Sequence, residues 1–472
     1  MTPPVIVGAG PAGVRAAQAL AAHGLRPVLV DEAPRAGGQI YRRPPAHFRR
    51  SPAELYGSEA ARAVALHAAA DALADRIDHR PDSLVWNAQD GVLDVLHRGR
   101  IERLPYDGLI VATGATDRVL PVPGWTLPGV TTLGGAQVAL KFQGCAIGEC
   151  VVLMGSGPLL YLVAYQYAKA GARVVAVLDS ARLADQVAAL PLMLTRPSIL
   201  MKGAWYVAWL RAHGVPVVRG ARPLRILGGE RVEGVAFEQG AHGDGQGTRT
   251  IECDAVGIGH ALRPETQLAD LLGCRFAFDD LQRAHLPLRD AAGRSSVPGL
   301  YLAGDGAGIL GADAAEWAGE RAALALLEDR GLPVDAARAR ALEQRLAGIR
   351  PFRRGLERAF PFPTDWAARA DDELIVCRCE HLSAGQLRRT VRETGADDIN
   401  RLKALSRVGM GRCQGRMCGV AATEILAQAC GRPVGEVGRL RGQAPIKPVP
   451  LSALSSALSS APSAVPEPEA SA

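Results

Sequence analysis

Apolar and polar positions follow two periods along this chain, one helical and one strand-like. At the start Val5-Ile6-Val7 reads as a buried strand, GAGPAG as a turn, and VRAAQALAAHG as an Ala-rich helix that Gly24 is suited to close. RPVLV follows as the next strand and ends in Asp31-Glu32. The plan returns later as CVVLM, the turn GSGPLL, a helix to Ala170-Gly171, and the strand ARVVAVLD ending in Asp179. Between the two units, residues 84–104 alternate with period two and predict a β-hairpin. The stretch from Arg222 to Cys253 predicts another, turning on AHGDGQG (241–247). GLYLAGDGAG (299–308) predicts one more strand, with a helix after it.

The pattern then changes. Residues 346–371, with Pro351, Phe352, Pro361 and Pro363, read as a connector, and 372–436 are helix-rich. From about 442 the composition narrows to Ala, Ser, Pro and Leu, which predicts a disordered tail. The expected class is α/β: two Rossmann-like dinucleotide-binding domains, 1–140 with 285–345 and 141–284, a linker 346–371, a small helical domain 372–436, and the tail 437–472.

Composition narrows the function classes. The 472 residues, 48% hydrophobic and 22% charged, describe a folded protein with room for about three domains. The net charge of +6 is spread among acids along the chain, which reads as a solvated basic surface rather than a nucleic-acid interface. The most apolar segment, 151–168, is broken by Gly, Ser and Pro, so no run reaches the roughly 18 residues of a membrane span. The first strand begins at Val5, leaving no room for a cleavable leader, and the expected place is the cytoplasm, with the inner face of the membrane as a peripheral option. Nine Cys in a chain of this length do not form a disulfide scaffold, and four of them fall in two close pairs.

The first loop has the spacing and context of a dinucleotide site. Gly8 permits the tight turn, Gly10 lets a diphosphate approach the backbone, and Gly13 lets helix and strand pack closely. Pro11 and Ala12 open the helix, whose free N–H groups and partial positive charge suit a diphosphate. Glu32, 19 residues after Gly13, is placed to take ribose hydroxyls, with Asp31 the neighbouring alternative. In the second loop Gly155 and Gly157 remain, but Leu160 stands in the third glycine position. Asp179 there would favour NAD or an adenine nucleotide with a free 2′-hydroxyl; a scaffold that binds nothing is the other reading. Cys145 and Cys150 read as packing residues, Cys253, Cys274 and Cys430 as small buried hydrophobes, and His260 and His381 receive no role.

Cys377-Arg-Cys379 and Cys413-Gln-Gly-Arg-Met-Cys418 supply four thiolates. Zinc prefers a C-x₂-C knuckle in each half, so the C-x-C pair weights the balance toward a [2Fe–2S] cluster, with zinc and unligated thiols still open. Gly409, Gly411, Gly415 and Gly419 crowd the second pair and can turn N–H groups toward sulfur, while Arg378, Arg412 and Arg416 would offset an anionic cluster.

The strand ending Ala112-Thr113-Gly114 and the segment holding Gly304-Asp305 resemble those of two-dinucleotide-domain flavoproteins of the glutathione and thioredoxin reductase class. That resemblance implies FAD on the first loop, the Ala-Thr-Gly strand behind it and Asp305 near the ribityl chain and phosphate. The segment DEAPRAGGQIYRRPP, with Gly38 and Gln39, holds no redox Cys pair of the disulfide reductases. VCRCE…GMGRCQGRMC resembles the bacterioferritin-associated ferredoxin domain. Taken in order over 1–436, the motifs resemble the electron-transfer flavoprotein subunit of amino-acid, imino-acid (proline or hydroxyproline) and opine dehydrogenase complexes, with hydrogen cyanide synthase flavoproteins as near relatives. The resemblance implies FAD and a [2Fe–2S] cluster. As partners it implies a D-amino-acid-oxidase-like FAD subunit, with a small ferredoxin-like one besides. It also raises FMN at a subunit interface, and NAD, ATP or ADP at the second site. A self-contained NADH-dependent reductase is the alternative, and no side-chain acid or base is assigned.

Overall fold

A computed structural model describes residues 2–239 and 247–459. Two five-stranded sheets dominate it, and every pairing within them is parallel. The first has the order Leu300–Leu302, Leu109–Val111, Val5–Val7, Val28–Val30, Asp78–Arg80. The second has the order Val217–Arg219, Arg173–Asp179, Cys150–Ser156, Ala255–His260, Val130–Thr132. In each, the strand before a glycine loop lies inside the sheet, so the loop opens at its carboxyl end, where doubly wound folds bind ligands. Parallel strands buried on both faces need continuous apolar runs, and Val5, Ile6, Val151, Val152 and Leu153 are fully buried.

Helix Pro11–Ala22 packs on helix Ala312–Asp329. The approach is close enough that a Cβ on Gly319 would lie 1.9 Å from the Ala12 carbonyl oxygen. This contact joins the N-terminal unit to the segment after residue 300. The boundary with the second domain falls earlier than residue 141, because Val130–Thr132 is already an edge strand of the second sheet. Strand Leu262–Pro264 pairs antiparallel with Ala115–Asp117 and ties the two domains together.

Residues 84–104 form a three-stranded meander (Ser83–Gln89, Val92–His97, Arg100–Pro105) rather than a single hairpin. The second predicted hairpin is also three-stranded, from Ala221 to Glu252; its tip, apart from Gly247, lies outside the described residues.

Two expectations for the C-terminal half are corrected. Most of the supposed linker is helix: Ala336–Ala359 runs through Pro351, and Phe352 and Ala359 bury themselves against Ala189 and Met193. The supposed tail is folded as far as residue 459. Ile446 is 3% exposed in a core with Val7, Val30 and Val85, and helix Leu451–Ser459 follows. The low-complexity composition hid its few apolar anchors, Ile446 and Ala453 among them, and the hydrogen bonds that hold Ile446, because packing outweighs composition where a partner surface exists. Residues 460–472 lie outside the described residues. No helix among the described residues is long and apolar enough to cross a membrane.

Candidate functional site

The first glycine loop is built from contacts that only hydrogen can fill. Gly8 adopts φ +105°, and a Cβ there would sit 2.3 Å from the Ala112 carbonyl oxygen. A Cβ on Gly13 would lie 1.7 Å from the Gly8 carbonyl oxygen. Gly10 is the N-cap of helix Pro11–Ala22 and supplies no side-chain cap, which leaves first-turn amides free for an anion. Gly38, at φ +63°, faces Gly10 so closely that a Cβ would come within 2.8 Å of the Gly10 Cα.

The two acids after the second strand take different positions. Asp31 accepts from the Ala9 amide at 2.5 Å and from the Ala33 amide at 2.7 Å, so it orders the loop from below. Burial pushes its carboxyl up against the lowering effect of those amides. Glu32 points outward, half exposed, and is ion-paired with Lys447 of the C-terminal segment. It is therefore the acid placed at the rim where a ribose would lie.

Thr113, Gly114, Gly304 and Asp305 gather at the same end of the sheet. A Cβ on Gly306 would meet Thr113 Oγ1 at 2.7 Å, and one on Gly304 would meet the Ala12 Cβ at 3.0 Å. Asp305 Oδ1 accepts from the amides of Leu310 and Gly311 at 2.9 and 3.0 Å, just before helix Ala312–Asp329. Backbone donors thus occupy one oxygen of this carboxylate, the arrangement that an acid near a phosphate would need. Gln39 lies at the exposed edge and accepts from Arg42. Buried side-chain atoms without partners lie on residues adjoining this region: Arg42 Nε, beside Gln39, and Thr116 Oγ1, just after Gly114. Free first-turn amides, a cradle of glycines and these orphaned donors fit FAD.

Lys141 belongs here too, and the sequence reading passed over it. Its side chain is buried, and its Nζ donates to the Ile40 carbonyl at 3.2 Å. Burial, helped by nearby Arg42, brings its ammonium down to about 8. A lone Lys in an apolar run carries no motif, which is why it escaped notice.

The second loop keeps the backbone of a nucleotide site and spends its acid elsewhere. Gly155 (φ +135°) and Gly157 (φ +109°) form the turn; a Cβ on Gly155 would lie 1.7 Å from the Gly259 carbonyl oxygen. Leu160 is completely buried under the helix. Asp179 is also fully buried: it accepts from Tyr161 Oη at 2.5 Å, from the Ala181 amide at 2.9 Å and from Gln186 Nε2 at 3.4 Å. Burial pushes its carboxyl up to about 6. A cavity of about 840 Å³ lies at this end of the sheet, bordered by Ser180, Arg182, Arg222, His260 and Trp366. His260 lies there with Nδ1 unpartnered, and burial, with Arg118 nearby, lowers it to about 4. Cys145 and Cys150 are both free thiols, Cys145 on the surface.

The four cysteines of the C-terminal domain converge. Strand Ile375–Cys377 brings the first pair, and the loop before helix Gly419–Cys430 brings the second. Cys418 hydrogen-bonds to Cys377 and Cys413, and Cys379 to Cys413. Cys377 and Cys418 are buried, and Cys379 faces solvent.

Backbone amides point at the sulfurs: Glu380, Gly409 and Cys379 at Cys377, and Met417 and Gly415 at Cys413. The Cys418 hydrogen bonds, and these amides against the opposing effect of burial, lower Cys377 to about 6 and Cys413 to about 5. Gly411 is needed because a Cβ would lie 2.3 Å from the Cys379 Cβ. Among the described residues no three or more His, Cys, Asp or Glu are gathered as the shell of one metal ion. Four thiols joined by sulfur contacts and met by loop amides instead fit a two-iron cluster, two thiolates to each iron.

Of the three arginines expected to offset the cluster, Arg416 pairs with Glu265 and Arg378 lies over Trp125. A fourth, Arg263, comes from 150 residues upstream of Cys413, and burial pulls its guanidinium down. Its nearness to Cys413 and Cys418 is a product of the fold and leaves no local signal.

Fold and site together define a two-domain dinucleotide oxidoreductase carrying an iron–sulfur domain. The chain belongs to the pyridine nucleotide-disulphide oxidoreductase family, whose model matches residues 3–325, and residues 375–428 match the BFD-like [2Fe-2S] binding domain. It is an FAD-dependent oxidoreductase with a [2Fe–2S] domain. It is 37% identical to an opine oxidase subunit of Agrobacterium tumefaciens, over 95% of this chain and 90% of that one. It is 36% identical to hydrogen cyanide synthase subunit HcnB of Pseudomonas aeruginosa, over 95% and 97%. L-Proline dehydrogenase from P. horikoshii shares the fold with a TM-score of 0.68 at 19% identity, over 96% of this chain and 79% of that one.

Proposed function

We propose that this chain is the electron-relay subunit of a dehydrogenase complex acting on a carbon–nitrogen bond of an amino acid, imino acid or opine. The observation that carries the reading is the pairing of an FAD-type glycine cradle with a four-cysteine cluster loop in one chain, the two sites joined through Glu265. FAD supplies two-electron acceptance with one-electron release, and the cluster supplies one-electron transfer.

The protein's own residues position these groups. Gly8, Gly10, Pro11, Ala12 and Gly13 would take the diphosphate, Glu32 the ribose, Gly38 and Gln39 the approach on one side, and Ala112, Thr113, Gly114, Gly304 and Asp305 the ribityl and ring end. Cys377, Cys379, Cys413 and Cys418 would hold the cluster. The chain carries no redox Cys pair in 31–45 and offers no free carboxylate from Asp179, so the electron donor in this reading is a flavin on a partner subunit of D-amino-acid-oxidase type rather than NADH. The opine oxidase and hydrogen cyanide synthase relatives are each named as one subunit of an enzyme, which supports a multi-subunit setting. The second cavity then holds an adenine nucleotide as a structural ligand, and FMN at a partner interface remains part of the proposal.

Anaerobic mixing of the purified chain with NADH tests the choice of donor. The relay reading expects a flavin spectrum that stays oxidised over minutes. Bleaching within the mixing time of a stopped-flow instrument makes the chain an NADH-dependent reductase, the reading that the cavity lined by Met154, Ser180 and Arg182 favours.

A further inference from the structure

Strand Leu262–Pro264 leads into a buried carboxylate that belongs to neither glycine loop and to no cysteine pair. Glu265 is 6% exposed. Its main chain is fixed to the Ala-Thr-Gly loop in both directions: the Glu265 amide donates to the Gly114 carbonyl at 2.9 Å, and Thr113 Oγ1 donates to the Glu265 carbonyl at 2.6 Å.

Its side chain faces the cluster loop. Arg416 Nε and Nη2 donate to the two carboxylate oxygens at 2.7 and 3.1 Å, a bidentate pair. Arg416 stands between Cys413 and Cys418 in the chain. Gln267 Nε2 donates to the Gln414 carbonyl at 2.5 Å, and Arg263 Nη1 reaches the Gly415 and Arg416 carbonyls at 3.4 Å. Burial raises the Glu265 carboxyl, and Arg416, with Arg263 and Lys447 behind it, more than reverses this, so it stays ionised.

Stability alone does not explain such a pair. A buried ion pair is matched or bettered by apolar side chains of the same volume. What a planar guanidinium on a carboxylate adds is a fixed distance and a fixed plane. One residue here joins the flavin loop through its main chain and the cluster loop through its side chain. Electron exchange between two centres falls steeply with their separation, so a clamp of this kind sets its rate.

We propose that Glu265 is a positioning residue for electron transfer, locking the cluster loop through Arg416 at one distance and orientation from the Ala112–Gly114 loop. This rests on the FAD and cluster assignments above. Glu265 takes up neither electron nor proton; it removes domain motion from the exchange.

The test uses the full chain with both cofactors, in wild type, Glu265→Gln, Glu265→Ala and the double variant Glu265→Gln/Arg416→Gln. The double variant removes both charges and so spares the fold an orphaned guanidinium. Flavin and iron content are measured first. The bound flavin is then photoreduced anaerobically with EDTA as reductant, and flavin bleaching is followed beside the electron-spin signal of the reduced cluster. Hydrogen exchange is read over residues 409–419.

In wild type the cluster signal should rise with bleaching. In loaded variants it should lag at least about tenfold, with amide exchange in the cluster loop faster by a similar factor. The double variant should recover thermal stability and keep the lag. Loaded variants that show no lag and unchanged exchange overturn the proposal. A wild-type chain without iron or flavin overturns the underlying assignment instead, and is recognised before any variant is compared.

Discussion

Single side chains show which parts of the site a sequence can announce. Gly13 was legible because its requirement is steric and local, a Cβ there overlapping the Gly8 carbonyl oxygen of the same motif. Gly8 was legible from the motif's spacing, although the oxygen it makes room for belongs to Ala112, at the end of a neighbouring strand. The four cysteines were legible because thiolates at that spacing have few other uses. Asp179 was only half legible. Its place at the strand end was right, but its carboxylate is claimed by Tyr161, one turn into the helix that precedes the strand, and no pattern rule reports that. Glu265, Arg263 and Lys141 were invisible, since each gains its role from contacts across 100 or more residues.

Two residue-scale outcomes follow. Cys413→Ser should leave the flavin spectrum intact and abolish the electron-spin signal of a reduced cluster; an unchanged iron-to-protein ratio would remove Cys413 from the ligand set. Asp179 makes stability depend on pH. Its carboxyl lies near 6 in the folded chain against an ordinary value near 4, so the folded state binds the proton more tightly. That contribution is complete below about pH 4 and is lost as pH rises through about 6. Compared with Asp179→Asn, wild type should lose on the order of 3 kcal/mol between pH 4 and pH 7, read from denaturant melts at each pH.

Among the elements, the strand–loop–helix units were read correctly because buried parallel strands are continuous apolar runs beside glycine turns. The meander was undercounted because Asp90-Gly91 and Arg98-Gly99 make tight turns inside one alternating stretch. The C-terminal segment was misread for another reason: its anchors are few and its partners distant. The Ile446 amide donates to the Trp86 carbonyl at 3.0 Å and its carbonyl accepts from Arg416 at 2.7 Å. Asp270 receives Arg439, Arg441 and the Gly442 amide. This strap runs from the cluster domain to Glu32 at the rim of the FAD cradle. Ile446→Ala should therefore destabilise the chain by about 2–4 kcal/mol in chemical denaturation. It should also raise the FAD dissociation constant, measured by flavin release on dilution. A variant that unfolds earlier yet retains FAD as wild type does would separate the strap from the cofactor site.

At the level of the molecule, the architecture places a flavin cradle and a cluster loop on opposite sides of one buried ion pair, Glu265 with Arg416. Cys379 reaches the solvent-facing side of the cluster domain. Electrons entering at the first sheet thus have an exit at the surface, which is the geometry of a relay rather than of a closed active site. The sequence order of motifs already carried this division of labour. What it did not carry is how closely the two sites are joined, because that depends on residues 263–267 meeting residues 413–418 in the folded chain. The relay account stands or falls on how many electrons one chain stores. In an anaerobic reductive titration of the purified protein, followed optically and by electron-spin resonance, it predicts about three equivalents per chain, two taken by the flavin and one by the cluster. A chain that saturates at about two equivalents, with no cluster signal at any point, would contradict it.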